Sequence, residues 1–226
     1  PSPVVWASIY PENQNDLPLL RQALIRLKLS DASLSFEEEA STSLGRGFRC
    51  GFLGLLHLEI ITERLKREFN LTLVIATPTI SYEIVDEQTG EKKFIYSPHI
   101  FPEDTKGKKI FEPWVAAKII VPPDYAGNII KLLNEHEAVL VATENFSAGR
   151  VVLSLELPLR ELMRNFFDEI KSVSSGFASF SYLLIGNREA DVARMDVLVN
   201  EQIVPAFSQI VSRRKVDHEG QDLVER

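Results

Sequence analysis

The sequence predicts an α+β protein made of two copies of one β-α-β-β-α-β unit, and three observations carry that prediction. Strand-like runs alternate with helical stretches in the same order over residues 3–85 and again over 112–187. The helical stretches carry apolar residues at helical spacing, most clearly Leu159, Leu162, Met163, Phe166, Phe167 and Ile170. A short turn at residues 147–150, SAGR, joins two strand runs as a hairpin. Each copy would be an antiparallel four-stranded sheet with two helices on one face, the split β-α-β or ferredoxin-like arrangement.

The elements follow in order. VVWASIY is an apolar strand that Pro11 ends, and Asp16 is placed to cap a helix whose Pro18 sits in its first turn. Leu20, Leu24 and Leu27 form that helix's apolar stripe. Strands are predicted at Ser33–Glu39 and Phe48–Leu53, followed by Gly54 and a helix striped by Leu58, Ile61 and Leu65. LTLVIATPTISYEIV reads as a long strand broken at Pro78. In the second copy WVAAKIIVP is a strand, and a helix from Asp124 or Tyr125 turns Ile129, Ile130 and Leu133 inward. VLVATENF and VVLSLELP form the hairpin; the helix LRELMRNFFDEIKSV ends at Gly176, and FASFSYLLIG is the last strand.

The domain layout expected is 1–85 for the first unit, 86–111 as a linker or insertion, 112–187 for the second unit, and 188–226 as the beginning of a further α/β domain. The 86–111 stretch is rich in Gly, Pro, Lys and Glu, with a short strand predicted at Lys93–Tyr96. In the last segment RMDVLVN is a strand candidate. VPAFSQIVSRRK reads as a helix with Val204, Phe207 and Val211 on one stripe.

Composition narrows the function classes. The 226 residues include one Cys and four His and carry a formal net charge of −7. A single cysteine rules out an internal disulfide and a multi-thiolate zinc site, and fits a reducing compartment. No apolar run reaches the roughly 18 residues of a membrane helix, and the opening PSPVVWASIY has no secretory pattern. A phosphate-binding loop needs Gly-x4-Gly-Lys-Ser/Thr. The one Gly-Lys pair is Gly107–Lys108, with Pro102 where the first glycine belongs. Gly45, Gly47, Gly51 and Gly54 likewise miss G-x-G-x-x-G because position 50 is Cys. No catalytic residue and no metal site are therefore expected: Cys50 reads as a small core residue and His57 as a helix-start imidazole with a hydrogen-bonded neighbour. His57, His99, His136 and His218 fall in four different elements. Glu37–Glu39 reads as a solvated strand end, and the sequons at Asn70 and Asn145 read as chance.

Three basic clusters remain: Arg46 and Arg49 around a glycine-rich turn, Lys171 with Ser172, Ser174 and Ser175 at a helix end, and Arg213–Lys215. Each reads equally as solvated surface or as a phosphate contact built from cations, amides and hydroxyls.

GRGFRCGFLGLLHLEIITERLKREFNL resembles a segment of the LepA (elongation factor 4) family of translational GTPases. Elongation factor G has a similar G-x-L-H-x-E-I core, matched here by Gly54-Leu55-Leu56-His57-Leu58-Glu59-Ile60; the Leu-Leu-His form is characteristic of LepA. The likeness continues through TPTISYEI, FEPWVAAKIIVP, FFDEIKSVSSGFASFSYLLIG and ADVARMDVLVN. It implies that 1–85 is equivalent to domain III of elongation factor G, 112–187 to domain V, and 188–226 to the start of a LepA-specific domain. A GTPase domain and a β-barrel domain would lie upstream of Pro1. Gly54, His57, Glu59 and Gly176 are then structural motif residues.

The departures are local. Ser212 and Arg214 differ from the family's Val-His-Arg-Asp-Lys-Ala-type stretch, while Arg213 and Lys215 match it. Asn134-Glu135-His136-Glu137 replaces a usual basic run, and Phe177 replaces a usual tyrosine.

The resemblance implies a ribosome-binding portion that is itself no enzyme and holds no cofactor, with GTP and magnesium bound elsewhere in the intact GTPase. Back-translocation, ribosome assembly and translational fidelity under stress are the family's associated roles. Expected partners are ribosomal RNA of both subunits, ribosomal proteins at the factor site and tRNA; peripheral membrane association is implied for the intact protein. The fragment is expected to be a cytoplasmic monomer of bacterial type, with mitochondrial and chloroplast forms left open. Arg46 and Arg49 would face small-subunit RNA or the GTPase domain, Lys171, Ser172, Ser175 and Ser179 the large subunit, and Arg213 and Lys215 ribosomal RNA or tRNA. The rival readings are a small-molecule-sensing module of paired ferredoxin-like units, an acylphosphatase-like hydrolase, and another translational GTPase of the BipA type.

Overall fold

The computed structural model describes residues 3–41, 44–147, 149–164, 166–196, 198–199, 202–203 and 208–216. The chain divides into two compact units, Pro1–Ser81 with Ile95–Ile100, and Tyr82–Phe94 with Phe101–Arg226.

In unit 1 the elements are β1 (Val5–Pro11), α1 (Leu17–Ser30), β2 (Ser35–Ser41), β3 (Gly45–Phe52), α2 (Leu55–Phe69), β4 (Leu73–Ile75) and β5 (Thr79–Ile80). The sheet order is β2-β3-β1-β4, with β5 also on β1, and every pairing is antiparallel. Alternation puts Val5, Ala7 and Ile9 directly opposite Phe52, Cys50 and Phe48 on one face, all buried. Leu20, Leu24 and Leu27 of α1 and Leu58, Ile61 and Leu65 of α2 are buried as their spacing predicts. Each such side chain contributes about 1.5–3 kcal/mol by leaving water. Gly47 is required by close packing, because a Cβ there would lie 2.5 Å from the Ile9 carbonyl oxygen.

Two local expectations change in this unit. Asp16 stands at the start of α1 but its side chain makes no capping bond, since a 3₁₀ turn over Gln14–Asp16 runs straight into the helix. Asn13 caps that turn by accepting the Asn15 N–H at 3.0 Å. The long strand after α2 is three short ones, because Pro78 cannot donate to the ladder.

Unit 2 contains β6 (Tyr82–Asp86), β7 (Lys92–Ile95) except its last residue, β8 (Lys108–Val121), α3 (Pro123–Leu133), β9 (Val139–Phe146), β10 (Arg150–Pro158), α4 (Leu159–Leu162), α5 (Phe166–Val173) and β11 (Ser179–Glu189). Strand β8 is central: β11 lies along one edge, β10 and then β6 along the other. The run β11-β8-β10-β9 repeats the strand order of unit 1. The segment 86–111 holds the last residue of β6, the turn to β7, β7 itself and the first residues of β8, and its residues divide between the two units. Asp86 organises that turn, its Oδ1 accepting the Gln88 and Thr89 N–H groups at 2.9 and 3.0 Å.

The stretch expected as one helix from Leu159 is two, with a turn at Met163–Arg164 between them. That break shifts the stripe, so Phe167 is 39% exposed and packs edge-on against Phe180 at 5.5 Å. Ile130, predicted inward, is 40% exposed.

Beyond β11 come β12 (Val192–Met195), β13 (Leu198–Val199), β14 (Gln202–Ile203) and β15 (Gln209–Ser212). β12 pairs with β15, and β13 with β14. The helix expected over this stretch is therefore not formed at Gln209–Ser212, where the β-branched pair Ile210–Val211 favours a strand. Residues 204–207 of that expectation lie outside the described residues. Arg213–Lys215 is one 3₁₀ turn.

Candidate nucleic-acid interface

Arg46 and Arg49 both lie on β3, three residues apart, so strand alternation sends them to opposite faces of the sheet. Arg46 is exposed and pairs with Glu38 at 2.7 Å, a carboxylate it shares with Arg21. Gln14 holds the turn before it, accepting the Arg46 N–H at 2.9 Å and donating to the Leu44 and Arg46 carbonyls at 3.1 Å. Arg49 is half-buried and turned into the fold. It donates to Ser8 Oγ at 3.2 Å, to Thr79 Oγ1 at 2.9 Å and to the Tyr96 carbonyl, and lies 5.8 Å over the Tyr96 ring. Its Nε is buried without a partner, and burial pushes the guanidinium pKa down. Tyr96 also stacks on Trp6 at 4.6 Å, so Arg49 helps fix the 95–100 segment against the sheet.

The Gly54–Ile60 motif is a helix start. His57 Nδ1 accepts the Leu53 N–H at 3.0 Å, which places the ring proton on Nε2, 2.9 Å from Asp31 Oδ2. The Asp31 carboxyl is held below its usual range, chiefly by the Ser33 hydroxyl and also by His57. Gly54 is extended (φ 172°), and its carbonyl accepts the Leu58 N–H at 3.1 Å. Glu59 is exposed, its carbonyl accepting the Thr62 hydroxyl at 3.0 Å. Cys50 is fully buried and burial pushes its thiol up, away from a reactive thiolate.

At the α5–β11 junction the chain reverses through two left-handed residues, Ser175 (φ 51°) and Gly176 (φ 79°). Ser174 is fully buried and staples the turn: its hydroxyl donates to the Lys171 carbonyl and accepts the Ala178 N–H, both at 3.2 Å. The Gly176 N–H closes on the Lys171 carbonyl at 2.8 Å. Lys171, Ser172, Ser175 and Ser179 are thereby left together and exposed. Sequence reasoning missed the aromatics beside them. Phe177 is 61% exposed and stacks on Tyr125 at 5.8 Å, and Lys171 Nζ lies 5.2 Å from the Phe167 ring.

Arg213 is exposed but bonded, Nε to Asp191 Oδ1 and an amino group to Thr105 Oγ1, both at 3.0 Å. Lys215 reaches Glu161 at 3.2 Å. Glu161, with no exposed surface, also receives Arg160 at 2.5 Å and His136 Nδ1 at 2.9 Å. Arg160, itself buried, reaches Glu112 at 2.8 Å and bonds Glu137 as well. Burial would raise Glu161, but His136 and the surrounding cations overcome it and hold the carboxyl at about 2. Glu112, where burial dominates, is pushed up to about 7. This network too was missed. Its one visible signal was the charge-dense Asn134–Glu137 run, where the sequence leaves the family pattern.

A nucleotide phosphate does not fit the Gly107–Lys108 turn. Gly107 (φ 67°) leads into strand β8 where a phosphate loop needs a helix, and Lys108 Nζ turns back to the Asp104 carbonyl at 3.3 Å. Among the described residues no group of three or more His, Cys, Asp or Glu is arranged to hold a metal ion, and no helix is long and apolar enough to cross a membrane.

Two family models match in order along the chain, elongation factor G domain III over residues 1–77 and the elongation factor G C-terminus over residues 109–198. Elongation factor 4 of Chlamydia trachomatis serovar L2 is 42% identical over 224 residues, covering 99% of this chain. This chain belongs to the elongation factor 4 family. Elongation factor 4 of Acetivibrio thermocellus is 43% identical over 225 residues, the whole of this chain. The chain spans 37% of the length of these relatives. A solved structure of a Thermus thermophilus protein matches 84% of this chain and 41% of its own, with TM-score 0.50 and 14% identity, a likeness of fold.

Proposed function

We propose that this chain is the ribosome-binding portion of an elongation factor 4-type translational GTPase, and that it contributes scaffold and RNA contacts while GTP and magnesium are handled elsewhere in the intact protein. The ordered match to elongation factor 4 along the chain's whole length carries this reading. The intact protein would act at the elongation-factor site, in back-translocation or in ribosome assembly and fidelity under stress.

Within that reading the exposed groups face RNA: Lys171 with Ser172, Ser175 and Ser179 on unit 2, and Arg46 on unit 1 and Arg213 as weaker contacts because Glu38 and Asp191 already share their charges. Arg49 and Lys215, drawn into internal bonds, position the surfaces around them. Hydroxyls and cations of this kind fix a protein on RNA without reading sequence. The test is co-sedimentation of the chain with 70S ribosomes over a salt series, with elongation factor G as competitor. Binding that weakens steeply with salt and is displaced by that factor supports the reading. Salt-insensitive or non-competed binding contradicts it.

A further inference from the structure

His136 follows α3 and is held where three elements meet. Its Nδ1 lies 2.9 Å from Glu161 Oε2 of α4, and its Nε2 lies 2.9 Å from Glu169 Oε2 of α5. The ring packs edge-on against Phe166 at 4.9 Å, so it has little freedom to turn away. A neutral imidazole offers one N–H and one lone pair. It can therefore serve one of these carboxylates only, and would present a lone pair to the other. The imidazolium serves both.

The surrounding charges ask for that proton. From α4, Glu161 faces the ring directly and Arg160 stands beside it; Arg164, in the turn after α4, lies 3.7 Å from Glu161. From β8 and the turn carrying His136, Glu112 and Glu137 hold Arg160, and from the C-terminal turn Lys215 reaches Glu161. Tyr82 of β6 is buried nearby as a neutral phenol. Three carboxylates, Glu137, Glu161 and Glu169, together with Glu112, an acid that burial pushes up to about 7, thus surround three permanently charged side chains, and among the described residues His136 is the one further group there that can carry a positive charge to Glu169. Burial disfavours the charged ring, but the bonds from Glu161 and Glu169 outweigh it and raise the pKa above its ordinary value.

We propose that His136 is a proton-operated latch that fastens the turn after α3 to helix α5. Protonated, it bonds both carboxylates. Deprotonated, it keeps its remaining proton on Nδ1 for Glu161, which has no access to water, and releases Glu169, whose side chain is 38% exposed and can be hydrated instead. Helix α5 ends in Lys171–Val173, so the latch sets how firmly the exposed α5–β11 junction is held, whatever that junction binds.

The test is an NMR titration of the His136 ring nitrogens in the 226-residue chain, paired with amide exchange of Phe166–Val173 corrected for intrinsic rates. His136 is expected to titrate above the 6.5 of an ordinary histidine. Protection of the α5 amides is expected to fall about tenfold between pH 6 and pH 9, the worth of one charge-assisted hydrogen bond. Glu169→Gln, at a partly exposed position, should lower the His136 pKa and leave α5 protection flat with pH. A wild-type His136 that titrates at or below 6.5, or α5 protection indifferent to pH, overturns the latch. So does a pH-dependent loss of protection that survives Glu169→Gln.

Discussion

Both units wind the same β-α-β-β-α-β chain into a sheet of the same strand order, yet His57 in one and His136 in the other are used differently. In unit 1, His57 sits at a helix start and accepts a backbone N–H on one nitrogen, with a single carboxylate at the other. It is a cap. In unit 2, His136 stands between two carboxylates, with no backbone donor among the described residues on either nitrogen. It is a counter-ion. The side chain and fold are alike, and the difference lies in what the ring nitrogens meet. A backbone donor fixes one tautomer, whereas two carboxylates demand a second proton.

The largest expected effect tests the charged side of that contrast. Glu161→Ala leaves Arg160 and His136 buried without their shared acceptor and should cost unit 2 about 3–5 kcal/mol. Hydrogen exchange resolved by unit should show the loss in β8–β11 and leave β1–β4 unchanged. Uniform destabilisation would mean the network does not belong to unit 2 alone.

The pH dependence comes next. His136 is raised and Glu112 is pushed up to about 7, so the folded state holds protons that the unfolded chain has released. The His136 contribution is complete below its unfolded pKa near 6.5 and is lost as pH rises through the folded value. Protonated Glu112 works in the same direction between its ordinary 4.5 and about 7. Glu161 at about 2 has the opposite sign, its stabilisation being present above 4.5 and lost as pH falls through about 2. Unit 2 should therefore gain roughly 2 kcal/mol between pH 8 and pH 5 and lose stability below about pH 4, read by denaturant unfolding. Stability rising from pH 5 to pH 8 would contradict the assignment.

His57→Ala removes the acceptor for Leu53 N–H and the Asp31 pair, and should cost unit 1 about 1–2 kcal/mol. Its mark would be faster amide exchange at Leu53 and the first turn of α2. The smallest effect is expected at Arg46→Ala, because its ion pair with Glu38 is exposed and screened by solvent. A thermal shift as large as that of His57→Ala would show the Glu38 pair to be structural.

Much of the fold was legible because burial follows periodicity. The stripes on α1 and α2 and the β9–β10 hairpin announce themselves in residue spacing alone. Where the reading failed, tertiary contacts overrode local pattern. The apolar run from Leu159 looked continuous, but Arg160 and Glu161 within it are drawn into a buried ion network and the helix breaks after Leu162. Ile210 and Val211 looked helical until β12 offered them a partner.

The site was legible in part for the same reason. Lys171, Ser172 and Ser175 cluster because they are close in sequence. Arg49 and Lys215 looked like free cations, since nothing local says that the Tyr96 carbonyl or Glu161 will capture them. Those partners lie 47 and 54 residues away along the chain.

If exposed cations bind RNA while captured ones hold the fold, the salt slope of ribosome binding should show it most directly. Lys171→Ala should flatten the slope of log affinity against log salt by about 0.7–0.9, one phosphate contact, and Arg46→Ala by less. Lys215→Met should leave it unchanged. A slope that drops with Lys215→Met and stays intact with Lys171→Ala and Arg46→Ala would contradict the account.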